Sequence, residues 1–211
     1  MSPPVATLDR IGVRIGDTPI LRDLDLTVVE GEAVGLMGAN GSGKTTLLRV
    51  LATLLPPTAG AGRVLGAPLD GEGRYEVRPR IALVGHEPAL YAELTLEENL
   101  ALVARLSGAP LEVVDDALST VGLARARTRR AGQSSQGMRR RVEFARILIT
   151  RPDLLLLDEA HSGLDPAAVA LVDHLVSGVR ARRGAAVIVS HDRNRIAATV
   201  DRVVELAGGR L

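Results

Sequence analysis

The 211-residue chain has no cysteine and no tryptophan, and its aromatic side chains are limited to Phe144, Tyr75 and Tyr91. Without thiols, disulfide scaffolds, zinc-thiolate centres, iron–sulfur clusters and cysteine nucleophiles are excluded, and a reducing compartment such as the cytosol fits. No stretch approaches the roughly 18 to 20 uncharged apolar residues needed to span a bilayer. The opening MSPPVATLDR lacks the charged and then apolar order of a secretory signal. Any membrane role is therefore expected to go through a partner. An excess of charge is missing as well: 26 Lys+Arg stand against 25 Asp+Glu, a net +1 that gives no global pull towards nucleic acid. Seven arginines between Arg125 and Arg141, with no acidic residue among them, read as a solvated face.

Lysine is the scarcest cation. Lys44 is the single lysine of the chain, every other basic residue being arginine. Such a bias stopping at one position marks a place where a compact ammonium on a flexible stem cannot be exchanged for a planar guanidinium. What the chain does have is aliphatic content, 46% hydrophobic against 24% charged, enough to bury a core of Leu, Val, Ile and Ala and to rule out intrinsic disorder. The length suits one α/β domain spanning residues 1–211, with room for a subdomain.

Residues 5–15 and 18–29 are expected as a hairpin turned at Gly16-Asp17, since Leu24, Leu26 and Val28 alternate with polar neighbours. Ala33 to Met37 is a short apolar strand, and Gly43 to Leu55 has helical spacing before Pro56-Pro57. Further strands are expected at 63–65, 80–84, 154–158, 185–190 and, smaller, within 200–206. Thr95 to Glu98 forms a capping box opening a helix to about Leu106, and Pro110 is placed as the first turn of a helix to about Val121. A helix from about Ser135 to Thr150 puts Met138, Val142, Ala145 and Leu148 on one face, and Asp165-Pro166 starts a helix to about Arg182. Apolar strands alternating with helices predict a mainly parallel sheet covered on both faces, preceded by an antiparallel β subdomain and carrying a helical insertion at about 88–150.

The stretch Gly38, Ala39, Asn40, Gly41, Ser42, Gly43, Lys44, Thr45, Thr46 contains G-x-x-x-x-G-K-[ST] after a strand and at the head of a helix. Glycines let the backbone wrap around phosphates, N–H groups and the helix dipole supply donors, Lys44 reaches the terminal phosphates and the Thr45 hydroxyl suits Mg²⁺. Four leucines, 154–157, bury a central strand and bring Asp158 out at its carboxyl end, where a carboxylate can serve the Mg²⁺ shell. Glu159 follows, free to accept a proton from an attacking water or to orient it.

With these motifs in place the chain resembles, over nearly all its length, the nucleotide-binding subunit of ATP-binding cassette transporters, a P-loop NTPase fold. Ser134-Ser135-Gln136-Gly137-Met138 stands where that family has its signature before a helix, Ser162-Gly163-Leu164-Asp165 matches the loop after the catalytic glutamate, and Ser190-His191-Asp192 matches the switch histidine. The resemblance implies an ATPase that binds ATP and Mg²⁺, drives a separate integral membrane permease from the cytoplasmic face, and works as a head-to-tail dimer. In that dimer Ser135 and Gly137 serve nucleotide held by the other subunit, His191 steadies the water beside Glu159, and Asp165 works at the dimer contact.

Departures are also visible. Ile15 replaces the aromatic ring usual under adenine, leaving an aliphatic contact without stacking. Gln136 and Met138 replace a signature glycine and glutamine, and Ala160-His161 replaces Pro-Thr, with His161 read as a loop residue without a direct role and His174 as structural. The segment Gly85-His86-Glu87-Pro88 lacks the glutamine that many members set on Mg²⁺; Glu87, a hard oxygen donor nearly isosteric with glutamine, is expected to take its place in preference to His86. The run from His86 to Leu100 is most similar to the haem-exporter ATPases of cytochrome c maturation. A GTPase reading fails because its Asn-Lys-x-Asp motif needs a second lysine. A soluble relative acting on nucleic acid or ribosomes, supported only by the arginine cluster, is the alternative, and no nucleic-acid partner is expected.

Overall fold

The computed structural model describes residues 2–85, 87–159 and 166–211; the side chains of Pro166, Ala167 and Asn194 are also outside the description. Expectations for His86, Ala160, His161 and the Ser162–Asp165 loop, including a helix start at Asp165, fall outside it. The described residues form two compact units.

The first unit begins with β1 (Pro4–Ile15) and β2 (Thr18–Val29), antiparallel partners closed by the Ile15–Thr18 pair. β3 (Ala33–Met37) enters the glycine-rich loop and α1 (Lys44–Leu51) leaves it. The helix stops four residues before the expected Leu55, because Thr53 turns left-handed (φ +59°) and the Leu54 and Leu55 amides both return to the Arg49 carbonyl. β4 (Ala59–Val64) and the two-residue β5 (Ala67–Pro68) complete a four-stranded antiparallel sheet ordered β2-β1-β4-β5. A short α2 (Gly73–Val77) precedes β6 (Ile81–Val84).

The second unit runs from Val84 to Arg151 and takes in the following helix as far as Leu175. It holds α3 (Leu96–Ser107), α4 (Val113–Thr120) and α5 (Gln136–Thr150). The α3 capping box is formed: Glu98 N–H donates to Thr95 Oγ1 (3.1 Å) and Thr95 N–H to Glu98 Oε2 (2.8 Å), bonds that hold the Glu98 carboxyl below its ordinary pKa. Pro110 does not open α4. Residues 110–115 make i→i+3 turn bonds instead, and the α-helix begins at Val113.

Two sequence expectations about α5 need correction. Because α3 and α4 both pack on it, it is buried on more than one face; Phe144 and Ile147 are inside, whereas Met138 and Leu148 are only partly covered. The arginine cluster is not one solvated face either. Arg125, Arg129 and Arg130 are exposed, but Arg127 bonds Glu97 (2.7 and 2.6 Å) and Asp115 (2.6 Å), and Arg140 is buried at 8% exposure.

The chain returns to the first unit as β7 (Leu154–Leu157), continues through α6 (Pro166–Ala181) and β8 (Ala185–Val189), and ends with α7 (Arg193–Thr199) and β9 (Arg202–Glu205). The second sheet is ordered β6-β7-β8-β3-β9, and the β7–β8, β8–β3 and β3–β9 pairings are parallel. Every residue of β7 and β8 is buried, as expected for strands covered on both faces. Gly35 in β3 lets α7 approach: a Cβ there would come within 2.9 Å of Ile196 Cδ1. Neighbouring parallel strands β7, β8 and β3 thus end on the same edge, where α/β sheets bind their ligands.

Candidate functional site

Three loops leave that edge. After β3 the chain wraps through Gly38 (φ +147°), Gly41 (φ +77°) and Gly43 (φ +107°), conformations that side chains oppose. A Cβ on Gly38 would strike the Leu206 carbonyl, and one on Gly43 would sit 2.8 Å from Leu21 Cδ2, so both positions are closed to any larger residue. Lys44, 7% exposed, folds back over the loop and donates from Nζ to the carbonyls of Gly38 (2.9 Å) and Ala39 (2.8 Å). Ser42 Oγ is buried without a hydrogen-bond partner among the described residues. A buried cation, an orphaned hydroxyl and the N-terminus of α1 converge on one cradle, a donor set suited to phosphate oxygens.

After β7, Asp158 accepts a hydrogen bond from Thr45 Oγ1 at 2.7 Å and is 8% exposed. Two hard oxygen donors in contact, next to a phosphate cradle, match the preference of Mg²⁺ for carboxylate and hydroxyl oxygens alongside phosphate. Glu159 follows with φ +52°, rare for a residue with a side chain and a form of strain that gathers at functional sites. After β8, Ser190 Oγ takes the Asp192 N–H (3.1 Å) and Asp192 Oδ1 caps α7 through the Arg195 N–H (3.1 Å). This tight turn turns His191 outward, and its Nε2 lies 2.9 Å from Glu159 Oε1. A half-exposed imidazole and a carboxylate in contact can share a proton and orient a water beside them.

The structure therefore brings Lys44, Thr45, Asp158, Glu159 and His191 together in the first unit. Ile15, at the end of β1, is 56% exposed and makes no aromatic platform. Ser135, Gly137 and Glu87 belong to the second unit. Ser135 caps α5, its Oγ accepting the Met138 N–H at 3.2 Å, which leaves its own O–H to donate. Gly137 has open space where a Cβ would stand, so its lack of a side chain serves nothing inside the unit. Glu87 is exposed on a cavity of about 430 Å³ whose wall includes Gln136 and Arg139.

Sequence reading overlooked Arg140 and Glu143. Glu143 is 1% exposed; burial raises its pKa above the usual carboxylate range, opposed by the Ala89 N–H and by Arg146 and Arg140. The signal was an opposite-charge pair at i,i+3, its acid alone among Arg139, Arg140, Arg141 and Arg146, in a helix expected to pack.

Comparison with known proteins supplies the family. Residues 21–162 match the model described as ABC transporter. The cytochrome c biogenesis ATP-binding export protein of Cupriavidus metallidurans is 36% identical over 199 residues, 92% of each chain. The daunorubicin resistance ATP-binding protein of Streptomyces coeruleorubidus is 44% identical over 170 residues, 79% of this chain and 54% of that one. The methionine import ATP-binding protein of Ralstonia nicotianae is 35% identical over 203 residues, 92% and 58%. The chain thus spans little more than half the length of the latter two. Among solved structures, an ATP-binding subunit of an ABC transporter superposes with a TM-score of 0.90 (27% identity, 98% and 88% covered). An ATP-binding cassette solved as a dimer in a post-hydrolysis state with ADP and Pi gives 0.87 (26%, 98% and 96%). With its motifs in order and its fold shared over nearly the whole length, the chain belongs to the ABC transporter family and forms the ATP-binding cassette of that family.

Proposed function

We propose that this protein is the ATP-hydrolysing subunit of a transporter, energising export by a separate membrane-embedded permease. The observation that carries the reading is the pairing of Thr45 with Asp158 (2.7 Å) and of Glu159 with His191 (2.9 Å) at the ends of adjacent parallel strands. In this reading the Gly38–Thr46 loop cradles the phosphates of ATP, and Lys44 exchanges its loop carbonyls for phosphate oxygens. Thr45 and Asp158 hold Mg²⁺, with Glu87 contributing from its loop. Bound there, Mg²⁺ neutralises charge on the phosphates and their leaving group. Glu159 takes the proton of the attacking water, and His191 fixes the carboxylate and that water.

Ser135 and Gly137 serve the nucleotide of a second subunit, which makes the working form a head-to-tail dimer. No described helix is long and apolar enough to cross a membrane. As a cassette of this family, the protein works as a peripheral subunit on the cytoplasmic face, docked on its permease. Export is supported by the Cupriavidus metallidurans relative, which matches over 92% of each chain and carries export in its name. Haem as cargo is the narrower reading, supported by the same relative and by the His86–Leu100 segment. Purified protein should release phosphate from ATP with Mg²⁺ and stop when the metal is chelated; hydrolysis that survives chelation contradicts the assignment.

Ile15 sets a further expectation. Base–aromatic stacking is worth roughly 1–3 kcal/mol where it occurs. Without it, ATP and GTP should bind within about tenfold of each other, a difference under roughly 1.4 kcal/mol. A strong ATP preference in direct binding, unaltered by Ile15→Ala, would mean that another residue reads the base.

A further inference from the structure

Glu143 is the charge that the proposed reaction leaves unused. Its side chain is 1% exposed and that of Arg140 is 10% exposed, and the two lie 3.4 Å apart on α5, with Arg146 at 3.8 Å. Charges so deeply covered persist only where hydrogen bonds and counter-charges replace water. Two of the partners outside the helix lie in one loop. Glu143 Oε1 accepts the Ala89 N–H at 3.0 Å, and Arg140 Nη1 donates to the Gly85 carbonyl. Gly85 and Ala89 flank Glu87, and the cavity bordering Glu87 is walled by Gln136 and Arg139 from the first turn of the same α5. That turn also carries Ser135 and Gly137. An apolar side chain at position 143 could fill the space but could not take the Ala89 N–H, which explains a buried carboxylate at that point.

We propose that Arg140 and Glu143 are positioning residues that tie the loop bearing Glu87 to the head of α5, so that the loop and the signature serine move as one piece. This rests on the reading of Glu87 as a Mg²⁺ contact. Shifting the loop without the helix would break the Ala89 N–H bond to buried Glu143 and the Gly85 carbonyl bond to buried Arg140, so a displacement at Glu87 is passed to Ser135. Through that link, the loop's seating on a metal–nucleotide complex is felt where the second subunit's nucleotide is to be gripped.

The test follows amide hydrogen exchange in the peptide containing Ala89, together with the Mg²⁺ concentration giving half-maximal hydrolysis at saturating ATP. Glu143→Ala should raise exchange about tenfold and raise the Mg²⁺ requirement several-fold, with ATP affinity unchanged. Glu143→Gln keeps an acceptor for the Ala89 N–H and should restore both. Arg140→Met, which removes the bond to Gly85, should raise exchange in the same peptide and serves if Glu143→Ala does not fold. Unchanged exchange in Glu143→Ala or Arg140→Met overturns the tether. So does an unchanged Mg²⁺ requirement in Glu143→Ala when Glu87→Ala raises it. If Glu87→Ala is itself silent towards Mg²⁺, the metal reading of Glu87 falls, and exchange alone decides the tether.

Discussion

Glu159→Gln is expected to lower ATP hydrolysis by a factor on the order of 10² to 10⁴, the range a positioned general base contributes, while ATP still binds. Glutamine keeps the shape of the side chain and an oxygen or amide to meet His191 Nε2, which lies 2.9 Å from Glu159 Oε1. It should also tolerate the left-handed backbone at this position no worse than glutamate, so folding is not at issue. What disappears is the capacity to take a proton from water. The Lys44 and Thr45–Asp158 contacts are untouched, and nucleotide should accumulate on the protein unhydrolysed. Phosphate release measured beside equilibrium ATP binding separates the two effects. A variant that turns over at the parent rate removes Glu159 from the chemistry.

Lys44→Ala should act earlier, at binding. The ammonium is buried against the carbonyls of Gly38 and Ala39, within a loop too tight to admit a Cβ at Gly38 or Gly43. Removing it takes away the buried ammonium of the cradle and leaves two carbonyls without their donor. ATP affinity should fall by at least about 100-fold, equivalent to roughly 2.8 kcal/mol. Lys44→Arg should fail as well, because a planar five-donor guanidinium cannot occupy the space of a compact ammonium. Titration with ATP in the absence of hydrolysis measures both; near-parent affinity for Lys44→Arg would show that charge alone suffices.

Much of this was legible in the sequence because the chemistry is local there. The glycine-rich loop, the buried leucines before Asp158 and the strand before His191 are each contiguous, so period and spacing place them at strand ends. The capping box at Thr95–Glu98 is equally local and is formed in the structure. Where the sequence misled, a tertiary or turn effect won. Pro110 suits a first helical turn, yet the chain makes i→i+3 bonds until Val113. Thr53, in a segment of good helix formers, takes a left-handed conformation that ends α1 early. The arginine run looked solvated because its partners are distant in the chain: Arg127 finds Glu97, 30 residues earlier, and Arg140 finds Gly85, 55 residues earlier. Periodicity sees neither pairing. Short α2 and α7, five and seven residues long, carry too few turns for a periodic signal.

The most direct measurement is the mass of Glu159→Gln in solution, read by light scattering with ATP and Mg²⁺ and again after adding Ser135→Arg to the same chain. A composite site that draws Ser135 and Gly137 from a second subunit predicts twice the 22.2 kDa of the single chain with ATP and Mg²⁺, and a return to 22.2 kDa when Ser135→Arg is present. A mass that stays at 22.2 kDa with ATP and Mg²⁺, or a dimer indifferent to Ser135→Arg, would contradict it.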